Sequence, residues 1–405
     1  MAALPQGLTT GQRIRAIRER RGMSRAVVAA LVGRSEGWLR AIESGRLQPP
    51  HLPVLVRLAQ ALGVDDLSEL TGTVTLPVAM FDGAEHPSLS AVRRAVDGAP
   101  LGLADGPPPS LDHVAAALRA GWRARDTRGD HRTALAQLLP ELLTAASIAA
   151  SHPEVTDTRR AQALYASALN LCQMYAAYQG DGHLVWRVAE RSLATARACG
   201  DPAAVGQAAW FLVQALREAG RWDSAQTVTE DTLRLLDPVR GDSPTLRAAW
   251  ASMAWHAAIT HARAGESGLA WGWHDRAALA VQALPATWWS SPTSASVTAT
   301  GIHGVTVAVE LRQARTALRL AGDLDAALIP ARPRRSRHLV EVARAHAMVG
   351  DHDRVVELVD AAVGAAPETP RWNKETHDLV RGLAKGPASV RPAARRLAAE
   401  VGIAV

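Results

Sequence analysis

Chemistry could begin at Gly33-Arg34-Ser35-Glu36-Gly37, a G-x-S-x-G string. Such a string presents a nucleophilic serine when a strand precedes it. Here the preceding residues, Val27, Val28, Leu31 and Val32, recur at helical spacing, so the required strand is missing. No phosphate loop of the G-x-x-x-x-G-K form, no H-E-x-x-H and no G-x-G-x-x-G occurs. The fourteen histidines are scattered. His256 and His261 are five positions apart, which does not stack them on one helix face as metal ligands. The expectation is a protein without catalytic residues, metal or cofactor.

The same residues make better sense as polar surface. Ser24 is an N-cap residue type, the apolar positions from Val27 to Val32 follow, and Gly33 stops the helix. Ser35 caps a second helix, in which Trp38, Leu39 and Ile42 define a buried face and Gly45 closes the element. The opposite face carries Glu36, Gly37, Arg40 and Ala41. A helix, a glycine turn and a second helix with a polar outer face form the helix-turn-helix, whose second helix enters the major groove.

The segment from Thr10 to Gly72 resembles the Cro/repressor-like family of bacterial regulators, also called XRE-type. The matching residues are Arg13-Ile14-Arg15, Arg18 to Ser24, Ala30-Leu31-Val32-Gly33-x-Ser35, Leu39-x-x-Ile42-Glu43-x-Gly45-Arg46 and Val54 to Val64. The resemblance implies a five-helix domain that reads double-stranded DNA through Arg25, Arg34, Ser35, Glu36, Gly37, Arg40, Ala41 and Arg46. Arg40 and Glu36 would meet base edges; Arg25, Arg34 and Arg46 would hold phosphates. Gly37 replaces the long polar residue usual in the family, leaving one base unread. A single such head buries little surface, so a homodimer on a palindromic operator is expected.

Charge supports that placement. Leu8 to Arg46 contains nine arginines and three glutamates, and this excess equals the net charge of +6 of the whole chain. The basic balance thus sits where phosphate contact is expected. A length of 405 residues fits two or three domains, and 48% apolar residues fit a globular chain. No uninterrupted apolar run reaches the ~18 residues of a membrane span. Met1 to Gly7 lacks a signal-peptide layout, and two cysteines are too few for a disulfide framework. The expected location is the cytoplasm, with no membrane partner.

Beyond residue 72 the character changes. Pro77, Pro87, Pro100 and Pro107 to Pro109 interrupt long helices, so 73–109 reads as a linker with one short helix at Ser88 to Val96. From Ser110 a signature recurs: a glycine ends one helix, and a small residue follows five positions later. The pairs are Gly129/Ala134, Gly180/Val185, Gly220/Ala225, Gly265/Ala270, Gly322/Ala327 and Gly350/Val355. This resembles the tetratricopeptide repeat, with glycine spacings that vary from 28 to 57 around the family period of about 34. The expected fold is all-α. A helix-turn-helix domain occupies 8–72. An α-solenoid of divergent tetratricopeptide-like helix pairs fills 110–370, and capping helices fill 371–405. This order of modules resembles signal-responsive regulators of Gram-positive bacteria, and the arginine- and alanine-rich body looks closest to the actinobacterial members.

In that repeat family the residues 13, 10, 6 and 3 before the turn glycine face the concave groove. Carried onto this chain, the candidates are Asn170, Gln207, Trp210, Gln214, Arg217, Trp255, Arg312, Arg337 and Arg344. Arginine forks suit carboxylate or phosphate and tryptophan suits a planar group, so a small molecule or peptide effector with an anionic group is implied. The same residues also suit a bland role, with tryptophans packing and arginines pairing with Glu310, Glu341 or Asp360. A scaffold that recruits a protein partner is the alternative function. Trp288 and Trp289, in the proline-flanked stretch Leu284 to Pro292, would either lid the groove or plug a gap in the solenoid; the plug is slightly favoured.

Overall fold

The computed structural model describes residues 8–47, 50, 52–72, 85–98 and 107–405. Most of the expected linker, and the N-terminal residues 1–7, lie outside them. Twenty-one α-helices and no strand occur among the described residues. They fall into two compact units, a smaller one that holds the N-terminal head and groups with it the turn segments 179–182 and 216–221, and a larger one that holds the rest of the helical body.

The head has five helices: α1 (Thr10–Arg20), α2 (Arg25–Leu31), α3 (Glu36–Glu43), α4 (Leu52–Leu62) and α5 (Ser68–Thr71). Thr9 and Gln12 form a reciprocal capping box on α1. The Ser24 and Ser35 hydroxyls accept from the backbone N–H groups of Val27 and Trp38, which start α2 and α3. Gly33 turns between them at φ 67°, a conformation costly for residues with a Cβ. At Gly11 the constraint is proximity: a Cβ would stand 2.1 Å from the Ile42 carbonyl oxygen, so glycine lets α1 lie directly on α3. Ile14, Ile17, Val28, Leu39, Ile42, Leu58, Leu62 and Leu70 fill the core.

Of the four apolar residues at helical spacing on α2, Val27 and Leu31 do not face the core; they are 50% and 61% exposed. α2 has only seven residues and turns Val28, Ala29 and Val32 inward, which leaves Val27 and Leu31, one turn apart, on the opposite side.

The body begins with α6 (Leu89–Asp97), which buries Leu89, Val92 and Val96. It belongs to the body: it packs on α8 (His131–Ser151), and Asp97 pairs with Arg187 at 2.5 Å. Six antiparallel helix pairs follow. They are α7 (Leu111–Thr127) with α8, α9 (Thr158–Ala176) with α10 (Gly182–Cys199), and α11 (Pro202–Glu218) with α12 (Trp222–Leu236). Then come α13 (Pro244–Arg263) with α14 (Ser267–Gln282), α15 (Ala299–Glu310) with α16 (Ala314–Gly322), and α17 (Arg332–Met348) with α18 (His352–Ala365). The first helices of successive pairs touch, as α7 does α9, and α15 does α13 and α17. α19 (Glu368–Arg371), α20 (Lys374–Ala384) and α21 (Arg391–Val401) close the C-terminal end, with Leu397 and Val401 in one apolar cluster with Val355 and Val359.

α8 is long and apolar enough to pass a membrane-span test by length and composition, although the sequence holds no uninterrupted apolar run of that length. In the body it packs between α7 and α9, burying Leu135, Leu139, Leu142, Leu143 and Ala146.

The turn glycines Gly180, Gly220, Gly265 and Gly350 all have φ between 69° and 79°. The fifth turn departs from the expectation. Gly322 lies within α16, and the chain reverses at Leu311-Arg312-Gln313, with Arg312 at φ 60°. The small residue five positions on is then Ala317, fully buried, in place of Ala327. With the turn at 312 the neighbouring intervals become 47 and 38 residues, close to those of the other pairs.

Candidate functional site

In the head, Gly33 and the Ser35 cap leave Arg34, Ser35, Glu36, Gly37 and Arg40 exposed together, while Leu39 and Ile42 anchor α3 from behind. Arg40 donates to Glu36 at 2.9 Å across one turn. Ala41 is half-buried beside them. Arg34 stands 5.9 Å from the centre of the Trp38 ring, and the exposed Arg46 donates weakly to Ser44 at 3.4 Å. Gly37 has no neighbouring atom closer than 4.0 Å to a notional Cβ, so this stretch of α3 presents bare backbone to a partner. The surface has three arginine donors, an acceptor and a gap, which is the polar variety that base edges require.

Arg25 is placed differently from expectation. Its Nε donates to Glu43 at 2.6 Å. Glu43 is buried and also takes two bonds from Arg18, at 2.6 and 3.0 Å. This hydrogen-bonded pair raises the Arg18 pKa. Arg25 therefore helps to neutralise a buried carboxylate that ties α1, α2 and α3 together. The Arg18–Glu43 pair went unnoticed in the sequence because the two are 25 residues apart.

In the body, the nine groove candidates separate. Trp255 is fully buried and stacks on His303 of α15, with ring centres 4.4 Å apart. Trp210 is buried against Phe211 and His256. Asn170 is buried and accepts from Ser192 of α10 at 2.7 Å. These three are packing residues. Gln207, Gln214 and Arg217 are half-buried on α11. Arg312, at its left-handed turn, is exposed and stands outside the helix whose face was meant to carry it. Arg344 bonds Glu310 at 3.0 Å and Glu341 at 2.8 Å, the pairing anticipated as the bland reading. Arg263 shares Glu310 at 2.8 Å, and burial opposes the Glu310 charge while these two arginines hold its pKa below the usual value.

Arg337 keeps a polar role outside the ion pairs described above. Its Nη1 donates to Tyr178 Oη at 2.6 Å, and its guanidinium lies 5.1 Å from the centre of that ring. Beside it are two arginines that the repeat register did not select, Arg125 on α7 and Arg334 on α17. The segment 283–298 is tucked into the body: Ser290, Thr293, Ala295 and Ser296 are buried, and Ser291 donates to Asp126 of α7 at 2.5 Å. The loop is a plug in this structure. Among the described residues no group of His, Cys, Asp or Glu has the arrangement of metal ligands.

A helix-turn-helix domain family matches residues 10–70. No curated protein sequence matches the chain at a significant level. Among solved structures, BtubC from P. vanneervenii is similar at 15% identity and TM-score 0.34, covering 63% of this chain and 91% of that one. Bacillus thuringiensis PlcR, solved with the peptide PapR7 and DNA, is similar at 13% identity and TM-score 0.29, covering 68% and 95%. ComR from S. thermophilus, solved with DNA and its signalling peptide ComS, is similar at 18% identity and TM-score 0.23, covering 68% and 94%. With the five-helix head, the glycine turn and the exposed polar face of α3, the chain carries an N-terminal helix-turn-helix domain, followed by a helical-repeat body.

Proposed function

We propose that the protein is a sequence-specific transcriptional regulator that binds a two-fold operator as a homodimer and whose body senses a small molecule or peptide. It acts on DNA in the cytoplasm and contributes no catalysis of its own. The observation that carries the reading is α3: its apolar face is sealed into the head while Glu36 and Arg40 on the other face, and Arg34 just before the helix, stand free of the core. A helix so mounted can enter the major groove without disturbing the fold that holds it.

The experiment is selection of binding sites from a random DNA pool with the full chain. A palindromic sequence with half-sites about one helical turn apart is expected. Recovery of no preferred sequence, or of a single unpaired half-site bound by a monomer, would overturn the dimeric regulator reading.

A further inference from the structure

Four arginines stand among the first six residues of α17: Arg332, Arg334, Arg335 and Arg337. They lie at the positive end of the helix dipole, where cations are disfavoured, and no side-chain cap offsets them. Two are spent on the backbone. Arg332 donates to the Ala365 carbonyl at 2.7 Å, and Arg335 to those of Ala327 and Ile329 at 2.9 and 2.8 Å.

Arg334 and Arg337 are different. Their three-residue spacing sets them on one face of α17, and α17 packs against α7, which carries Arg125. The Nε of Arg334 is buried with no hydrogen-bond partner. Neither Arg334 nor Arg337 has a carboxylate within 4.0 Å among the described residues, since the nearby acids are engaged elsewhere. Asp126 takes bonds from Arg125 and Ser291. Glu341 and Glu310 bond Arg344. Glu375 is the remaining acid in their field; burial works against its charge, and Arg337, a backbone hydrogen bond, Arg344 and Arg263 together more than offset that, so Glu375 balances Arg337 and leaves Arg334 without an acid of its own. Tyr178, which receives Arg337, is held at φ 66°, a backbone region that tyrosine rarely enters. A half-buried Arg334 with no acid of its own, its one unsatisfied guanidinium nitrogen and a strained tyrosine thus converge on one place. Burying a charge without a partner is costly, so such an arrangement calls for a counter-charge.

We infer that Arg334 and Arg337, with Tyr178 beside them, form the binding site for an oxyanion group, carboxylate or phosphate, of a small ligand. This rests on the reading of the body as a sensor, and it names the chemistry sensed. Two guanidinium forks around one oxyanion provide up to four charge-assisted hydrogen bonds. Burial, with Arg337 and Arg125 close by, pushes the Arg334 pKa down to about 10, a penalty that a bound anion reverses.

The test is thermal melting of the full chain in chloride and, at matched ionic strength, in inorganic phosphate or acetate. Two further arms use a short alanine peptide with a free and with an amidated C-terminus. The expected result is a concentration-dependent rise in Tm with an oxyanion probe. A rise with phosphate alone identifies a phosphoryl group; a rise with the free peptide but not its amide identifies a carboxylate. Arg334→Met should melt higher than the parent in chloride, because it removes a half-buried charge that no acid pairs, and should lose the anion increment. Arg315→Met, at an exposed position on α16, should keep it. General salting effects are common to all three proteins, so the difference between them reports the site. The inference is overturned if no probe shifts the parent beyond the Arg334→Met variant, or if that variant melts lower in chloride. If the probes bind but leave affinity for the selected DNA unchanged, the anion site stands and the sensor reading fails.

Discussion

Arg40 and Glu36 form an exposed pair one turn apart, and such pairs are worth only about 0.3–0.5 kcal/mol. The pair opens at little cost, so both side chains are available to base edges. Arg40→Ala should relax sequence preference by roughly 1–3 kcal/mol at one position of the selected site, leaving stability nearly unchanged. Competition binding with single-base variants checks this, and an unchanged preference would remove Arg40 from the reading surface. Glu43 calls for the opposite outcome. It is buried between Arg18 and Arg25, and breaking one side of such a pair costs about 3–5 kcal/mol. Glu43→Gln should therefore lower the denaturant midpoint of the head, with the preference of the folded fraction intact. Arg25→Ala should also act through stability, and not as the loss of a phosphate contact.

The helix pairs show what a sequence displays and what it hides. Glycine at a left-handed turn is visible because few other residues tolerate that conformation, and four of the repeat turns stood out for that reason. The fifth is hidden because Arg312 occupies its left-handed position, and the next glycine, Gly322, mimics the turn ten residues too late. Arg312→Gly should then be neutral or stabilising by up to ~1 kcal/mol: relief of a strained φ is partly offset by the freer unfolded chain. The melting curve checks this, and an Arg312→Gly variant that melts well below the parent would restore a contact role for the side chain. Helical periodicity located α3, since its core face and caps are local. It missed Arg125 and Arg334, because α7 and α17 are far apart in the chain and only packing brings them together. A legible clue did exist: an arginine-rich first turn is at odds with the helix dipole, and such local conflicts tend to mark functional sites.

In the body as a whole, the two ends of the repeat array are joined. Glu368 of α19 accepts from the backbone N–H groups of Arg132 and Thr133, at 2.5 and 3.3 Å, and from the Thr133 hydroxyl at 2.5 Å, so it caps the start of α8 from 236 residues away. Arg132 in turn donates to the Tyr175 carbonyl, and His86 contacts both Thr133 and Tyr175 at 3.2 Å. Glu368→Ala leaves those donors unsatisfied and should cost roughly 1–3 kcal/mol, seen as a lower melting temperature. A variant as stable as the parent would mean that the capping contacts contribute nothing net.

Histidines buried within the body make its stability depend on pH. Burial, reinforced by Arg334, pushes the His338 pKa down to about 4, and burial likewise lowers His131, His86 and His377. These groups stay neutral in the fold but gain protons near pH 6.5 when unfolded. The unfolded chain therefore binds more protons as pH falls below 6.5, and stability is lost progressively down toward pH 4. For His338 alone the full loss is about 3 kcal/mol. Glu341 works in the opposite sense, since burial raises its pKa and its protonation on acidification relieves a buried charge. The acids whose pKa values are lowered, such as Glu310, withdraw their contribution only at lower pH, so the histidine window is separable. His338→Gln should flatten the fall in denaturation free energy between pH 6.5 and 5, whatever it does to stability at pH 8. A slope identical to that of the parent would show that His338 takes up its proton as readily in the fold as in the unfolded chain.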